Sequence, residues 1–347
     1  MSFATDWAAH LELVSLEPPN AGTPLSHQDG RVVPQDHAYV RSNFPIPSRG
    51  EDDWAIALSL VREYERTLDD LRAFPAASVT MMLECAGNGR TLMNPVPGGT
   101  PWTLGGASMT SFEGVWLRDV LASFEIPSDA VELVFRGADE GVVPEDGHIA
   151  YEFSITVDEA TTGDAMLAWS MAGTPLSREH GAPIRLVVPG EYAMKSVKWL
   201  RSVRSVTEPF VGHFVRKYRY YGDEEVTEAA PVGPIQLRAL IASPADSSSV
   251  LRGQLMVEGA AWSSASQIVN VSVSGDGGRS WSDADLGEQL TPYAAVPWSC
   301  SVVVGPSRAE IVARATDADG RSQPLEPRWN TTGYGNNVVH RVSVDVK

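Results

Sequence analysis

Val79-Thr80-Met81-Met82-Leu83 runs directly into Glu84-Cys85-Ala86-Gly87-Asn88-Gly89-Arg90. The first five residues read as an apolar strand, and the Gly-Asn-Gly turn stops it, because glycine admits tight turns and close backbone approach. Cys85 is one of only two cysteines in 347 residues, and it is delivered to a sheet edge beside backbone amides. Arg90 stands near enough to favour the thiolate. Such a thiol suits a metal ligand or a nucleophile. The plainer reading of a lone cysteine is a small buried hydrophobe that ends a core strand.

The chain is 43% hydrophobic, enough for two domains with separate cores. Residues 1–14 alternate apolar and polar side chains without a basic leader, and no apolar run elsewhere approaches membrane-spanning length. The expected compartment is the cytoplasm, or the periplasm if a signal has been removed. Cys85 and Cys300 fall in different expected domains, so no disulfide is expected, and Cys300 within Trp298-Ser299-Cys300-Ser301-Val302 reads as core. A net charge of −17 argues against nucleic acid or an anionic membrane as partner, because both would be repelled. A small anion remains open. Arg178, Arg185, Lys195, Lys198, Arg201, Arg204, Arg216, Lys217 and Arg219 gather into a candidate cationic funnel, although several are expected to be solvated charges on strand faces.

The organisation reads as α+β. Strands are expected at His37–Arg41, Asp53–Leu60 (followed by a turn or short helix), Ala130–Phe135, Tyr151–Ile155 and Ile184–Val188, with short helices at Thr67–Leu71 and Trp116–Leu121. Composition turns acidic, then Pro- and Gly-bearing, near Glu224–Pro234, which places a boundary after residue 230. Beyond it, β-rich segments such as Gln254–Gly259, Ile268–Val273 and Arg341–Val346 alternate with polar turns, the pattern of a β-sandwich.

The segment Glu84–Arg90 resembles the cysteine motif of the sulfite oxidase family, whose thiolate is a protein ligand to molybdenum held by a pterin dithiolene, and matching segments recur in family order from about Arg31 to Val346. The resemblance implies a mixed α/β molybdopterin-binding domain over residues 1–230. An immunoglobulin-like dimerisation sandwich over 231–347 would follow, with Ser274–Trp281 and Trp329–Asn337 among its matching segments. It assigns Cys85 to molybdenum. Tyr39–Pro47 looks like a first cofactor-contact segment containing Tyr39, Arg41 and Asn43, the last standing where some relatives carry histidine. Arg41 and Arg90 match substrate-pocket arginines, and Trp102 matches an aromatic wall. Asp139, His180 and Arg185 match contacts to the pterin or its phosphate, and Ser196, Val197 and Lys198 match a segment whose backbone and lysine bind the phosphate.

The family's tyrosine aligns best with Tyr218, although Lys217 replaces the aspartate before it and Tyr220 or Tyr221 could reach the metal instead. An arginine of animal and plant relatives is replaced by Thr332. The activity implied is oxidation of sulfite to sulfate by oxygen-atom transfer at an oxo-molybdenum centre in a homodimer. No Cys-x-x-Cys-His haem site or recognisable flavin domain is present in this sequence, so electrons would leave to an external acceptor such as a c-type cytochrome or oxygen. Two rivals stand beside it: reduction of nitrate or an S-oxide on the same scaffold, and a binding protein without catalysis.

Overall fold

The computed structural model describes residues 6–48, 54–220 and 229–347. Its first part is built on two five-stranded sheets. In one, Ala77–Glu84 pairs antiparallel with Ala107–Trp116, which pairs with Met166–Met171, and Arg185–Val187 and Thr174–Pro175 join that last strand. The other has the order Glu63–Thr67, Ala55–Ser59, Leu200–Val206, Glu132–Val143, Gly147–Thr156, with one parallel pairing between Ala55–Ser59 and Leu200–Val206. The α-helices among the described residues are single short turns: Leu68–Arg72, Leu117–Leu121, Val157–Thr162 and His213–Lys217. Thr67 with Asp70, and Thr156 with Glu159, form reciprocal capping boxes that start two of them. None is long and apolar enough to cross a membrane.

The second part is a sandwich of a four-stranded sheet, Arg238–Ser243, Gly253–Trp262, Val296–Val304 and Asp285–Leu286, on a five-stranded one containing His340–Val346, Ser307–Asp317 and Ile268–Ser274. Alternate residues such as Val271, Val273, Ile311, Ala313, Val342 and Val344 fill its core, as a half-buried strand requires. Cys300 is buried there. Several sequence expectations need correction. Residues Gln35–His37 form a 3₁₀ turn after Pro34, leaving only Val40–Arg41 as strand. The strand following Trp54 turns at Leu60–Arg62 and returns as Glu63–Thr67, a hairpin the sequence did not announce; Asp53 lies outside the described residues. Glu132–Val143 continues well beyond Phe135.

The sandwich keeps a core of its own, and a few residues beyond 231 also pack into the core of the first part. Val232, Ile235, Leu240, Ala260, Trp262, Ala294 and Tyr334 belong to the same apolar cluster as Phe135, Leu186 and Val203. Across this shared core runs a buried ion pair. Glu84, 1% exposed, accepts from Arg238 Nε at 3.2 Å, from Asn88 Nδ2 at 3.0 Å and from Trp262 Nε1 at 2.8 Å. Arg238, 2% exposed, also donates to the Asn336 carbonyl. Asn336 Nδ2 reaches the Gly89 carbonyl at 2.7 Å, and Gly335 N–H reaches the Ala86 carbonyl at 2.8 Å. The turn after Cys85 is thus stitched to the sandwich.

Breaking a buried pair leaves one charge uncompensated. Arg238→Met should therefore cost about 3–5 kcal/mol in urea denaturation, and adding Glu84→Gln should recover part of that loss; a single-variant cost below about 1 kcal/mol would contradict the pair's structural role.

Candidate active site

Cys85 follows the last residue of Ala77–Glu84, where its N–H donates to the Gly106 carbonyl at 2.8 Å and its carbonyl accepts from Asn88 N–H at 2.9 Å. Its thiol is free and buried. A Cβ on Gly87 would lie 2.8 Å from the Arg90 guanidinium, so glycine is what lets that side chain fold back under the turn. Two cavities meet here, and Arg41, Cys85 and Tyr218 line both.

The first cavity runs between the sheets and is lined by Tyr39, Asn43, Asp139, His180, Arg185, Ser196 and Lys198. Asp139 reaches it through an irregularity: pairing jumps from Arg136 opposite Glu152 to Glu140 opposite Ala150, so two extra residues bulge and re-aim the aspartate. Gly137 is required beside it, since a Cβ there would sit 2.4 Å from the Asp139 carboxylate. Burial pushes the Asp139 carboxyl up, opposed by the charge of Lys198. The Lys198 ammonium is lowered by burial and then by Arg185, with Asp139 opposing. Its Nζ donates to Ser42 Oγ at 3.0 Å and the Glu179 carbonyl at 2.7 Å.

His180 Nε2 stands 3.0 Å from the Gln35 carbonyl, and burial plus the charges of Lys198 and Arg185 bring its pKa down to about 3. The ring is neutral at ordinary pH, so Nε2 is the donor and Nδ1 an acceptor. Arg185 donates to the carbonyls of His180 and Ser196 at 3.0 and 3.2 Å. Burial lowers its pKa to about 10, which leaves it charged. Tyr39 Oη, Asp139 Oδ1 and Arg185 Nε are buried without a hydrogen-bond partner. Orphaned polar atoms at one cavity wall are what a polar ligand satisfies.

Val197 does not line this cavity. Its side chain is fully buried, its N–H bonds the Lys195 carbonyl and its carbonyl accepts from Leu186 N–H, while the Ser196 N–H bonds Ala193. The Ser196 amide closes the 3₁₀ turn Ala193–Lys195 and the Val197 amide bonds just after it, so both backbone groups that the resemblance assigned to the phosphate are engaged within the chain.

The second cavity opens on the other side of Cys85 and is lined by Arg90, Trp102, Lys217, Thr332 and Tyr334 as well. Arg90 is buried, its Nε and one terminal nitrogen donating to the Thr332 carbonyl at 3.1 and 2.9 Å and the other nitrogen to Thr100 at 2.6 Å. Its guanidinium lies 5.1 Å from the Tyr334 ring centre. Arg41 is held by Asn20 Oδ1 at 3.2 Å, Asn43 Oδ1 at 2.8 Å and the Ser42 carbonyl. Burial raises the Tyr218 phenol above its ordinary pKa, so it remains an O–H donor. Tyr220 lines neither cavity, because it packs on Gly335, and Tyr221 lies outside the described residues. Of the expected funnel, Arg185, Lys198 and Lys217 face the cavities. Lys195, Arg204 and Arg216 pair with Glu159, Glu152 and Asp146. Sequence reading missed Tyr151, Glu179 and Tyr334 as lining residues. Glu179 adjoins His180 and Tyr334 lies within Trp329–Asn337, both in stretches already singled out, whereas Tyr151 carries no local chemical signal and tertiary packing brings it in.

A buried thiol between a polar-walled cavity and a cationic one, on a sheet scaffold closed by a β-sandwich, is the arrangement of a protein that holds a bound group beside a small anion. The chain matches the oxidoreductase molybdopterin binding domain over residues 43–214 and the Mo-co oxidoreductase dimerisation domain over residues 231–347. It is 32% identical to mitochondrial sulfite oxidase of Mus musculus, covering 99% of this chain and 67% of that protein, and 31% identical to sulfite oxidase of Arabidopsis thaliana, covering 96% and 93%. The crystal structure of the sulfane dehydrogenase SoxCD from Paracoccus pantotrophus shares the fold, with a TM-score of 0.83 at 24% identity over 98% of this chain and 91% of that one. The chain spans about two thirds of the length of the rodent relatives. It belongs to the sulfite oxidase family of molybdenum-cofactor oxidoreductases.

Between its ordinary pKa of 6.5 and the lowered value near 3, His180 takes up a proton only on unfolding. Its contribution to stability is therefore intact above pH 6.5 and declines as pH falls toward 3. On moving from pH 7 to pH 5, wild-type protein should lose about 2 kcal/mol more in urea denaturation than His180→Gln; equal losses would show that the ring is not held neutral.

Proposed function

We propose that the protein oxidises sulfite to sulfate, with the molybdenum cofactor held in the first cavity, Cys85 as the metal's protein ligand and the substrate in the second. The observation that carries this is the place of Cys85 between a cavity walled by orphaned polar atoms and one walled by Arg41, Arg90 and Lys217, with no carboxylate lining the latter among the described residues. The donor set fits the cofactor. Lys198 and Arg185 supply charge for a phosphate. Tyr39, Asn43, His180, Ser196 and Asp139 offer neutral and anionic groups to the ring system, and the buried thiol suits a soft metal ion. Val197 supports the wall only through its packing.

When bound, the cofactor supplies the oxygen-atom transfer and the two-electron change. The overall conversion takes sulfite and water to sulfate, two protons and two electrons. Arg41 and Arg90 hold the dianion and offset the charge that moves onto oxygen, an effect of a few kcal/mol per well-placed donor. Tyr218 donates its O–H into the same cavity, and Trp102 walls it off from water. The electrons pass to an external acceptor such as a c-type cytochrome or oxygen, with no haem or flavin in this chain. The sandwich, from residue 231 onward, makes the protein a homodimer, and the working compartment is the cytoplasm, or the periplasm behind a removed signal. Reduction of nitrate or an S-oxide is the second reading, favoured by one observation: Thr332 brings a neutral side chain to the cationic cavity.

Cofactor-loaded enzyme should reduce ferricyanide in the presence of sulfite, and Arg41→Gln should lower kcat/KM about 100-fold or more. Nitrate turnover with a reduced viologen dye and none with sulfite would replace the first reading with the second.

A further inference from the structure

Lys217 ends the helix His213–Lys217 and lines the cationic cavity together with Arg41, Arg90 and Cys85. It also lines an outer recess whose walls carry Glu145, Asp146 and Arg216, so it stands where the cavity opens to solvent, and much of its side chain is exposed. Its neighbours have other commitments. Arg216 is paired with Asp146 at 2.6 Å, Arg90 spends three donor contacts on the carbonyls of Thr332 and Thr100, and Arg41 is held by Asn20, Ser42 and Asn43. The Thr332 hydroxyl donates to Asn330 Oδ1 at 2.8 Å, within reach also of the Arg219 carbonyl. Among the described residues, no carboxylate lies within ion-pair distance of Lys217; its ammonium is 5.7 Å from the Phe214 ring centre. Partial burial, then the charge of Arg41 and more weakly that of Arg90, lower its pKa, with Glu145 opposing. Three like charges therefore crowd one opening, and an anion entering it relieves all three at once.

We infer that Lys217 is the third cation of the substrate cavity, the one with donors still available, and that it sets the preference of this opening for doubly charged oxyanions over singly charged ones. The inference rests on the proposed reading of the cavity as the substrate site. An ammonium on a flexible stem can follow the anion inward, whereas the two guanidinium groups are fixed by their carbonyl and amide partners. The attraction scales with the ligand's charge, so a dianion gains about twice what a monoanion gains from the same lysine.

The test uses cofactor-loaded wild type, Lys217→Gln and Lys217→Arg. In Lys217→Gln, the KM for sulfite and the Kd for sulfate, the latter by titration calorimetry, should both rise about tenfold, by more than any fall in kcat and by more than the Kd for nitrate. The dependence of KM on ionic strength should flatten, and Lys217→Arg should restore most of the sulfate affinity. Unchanged sulfate affinity and KM in Lys217→Gln, or equal losses for sulfate and nitrate, would overturn the inference. The two readings fail separately. Wild type that binds sulfate through Lys217 but oxidises no sulfite defeats the proposed activity alone, whereas wild type that oxidises sulfite with Lys217→Gln unaffected defeats the role of Lys217 alone.

Discussion

Glu84 and Arg238 are 154 positions apart in sequence and nearly inaccessible to water, and the geometry of the site depends on their meeting. A carboxylate cannot remain ionised in an apolar core unless its charge is balanced and its lone pairs are filled. Arg238, Trp262 and Asn88 do this for Glu84, the residue immediately before Cys85. The chain therefore cannot place Cys85 at its sheet edge without docking the sandwich at the same time. The contacts from Gly335 and Asn336 to the Ala86 and Gly89 carbonyls, and from Arg90 to Thr332, extend the same constraint through the turn. The second part of the chain is thus a wall of the site as well as a sandwich.

Against this fixed frame, the electrostatics of the two cavities are opposed to those of the molecule. A chain with a net charge of −17 gathers Arg41, Arg90, Arg185, Lys198 and Lys217 around the cavities at Cys85 and pairs Lys195, Arg204 and Arg216 with carboxylates. The two cavities then differ in kind. One mixes the neutral ring of His180, a buried carboxyl, Lys198 and Arg185, a varied set of partners suited to a ligand with several functional groups. The other holds cations and aromatic rings, suited to a compact anion. Their shared wall of Arg41, Cys85 and Tyr218 is where a ligand in one would meet a ligand in the other.

Much of this was legible in the sequence where the signal is local. A strand interrupted by Gly-Asn-Gly placed Cys85 and Arg90, and the segments around Arg41, His180, Arg185 and Lys198 carried family resemblance in order. The sandwich announced itself through alternating strands and polar turns. What stayed hidden depends on distance or on backbone detail. The pairing of Glu84 with Arg238 has no local trace. The bulge that turns Asp139 inward is a matter of register between two strands, and the engagement of the Ser196 amide follows from a 3₁₀ turn that propensity does not specify. The hairpin strand Glu63–Thr67 is rich in charge and exposed on one face, so hydrophobic periodicity was a weak guide to it. Lys217 stood in the expected cationic funnel and as a departure from the family pattern, and the fold set it beside Arg41 and Arg90.

If the cavity at Cys85 holds a molybdenum cofactor, the purified protein carries the metal. Molybdenum per chain is to be measured by inductively coupled plasma mass spectrometry on protein purified from a host that makes the pterin cofactor. Close to one molybdenum per chain is expected. Folded protein carrying none, while a control molybdoenzyme from the same host is fully loaded, would contradict it.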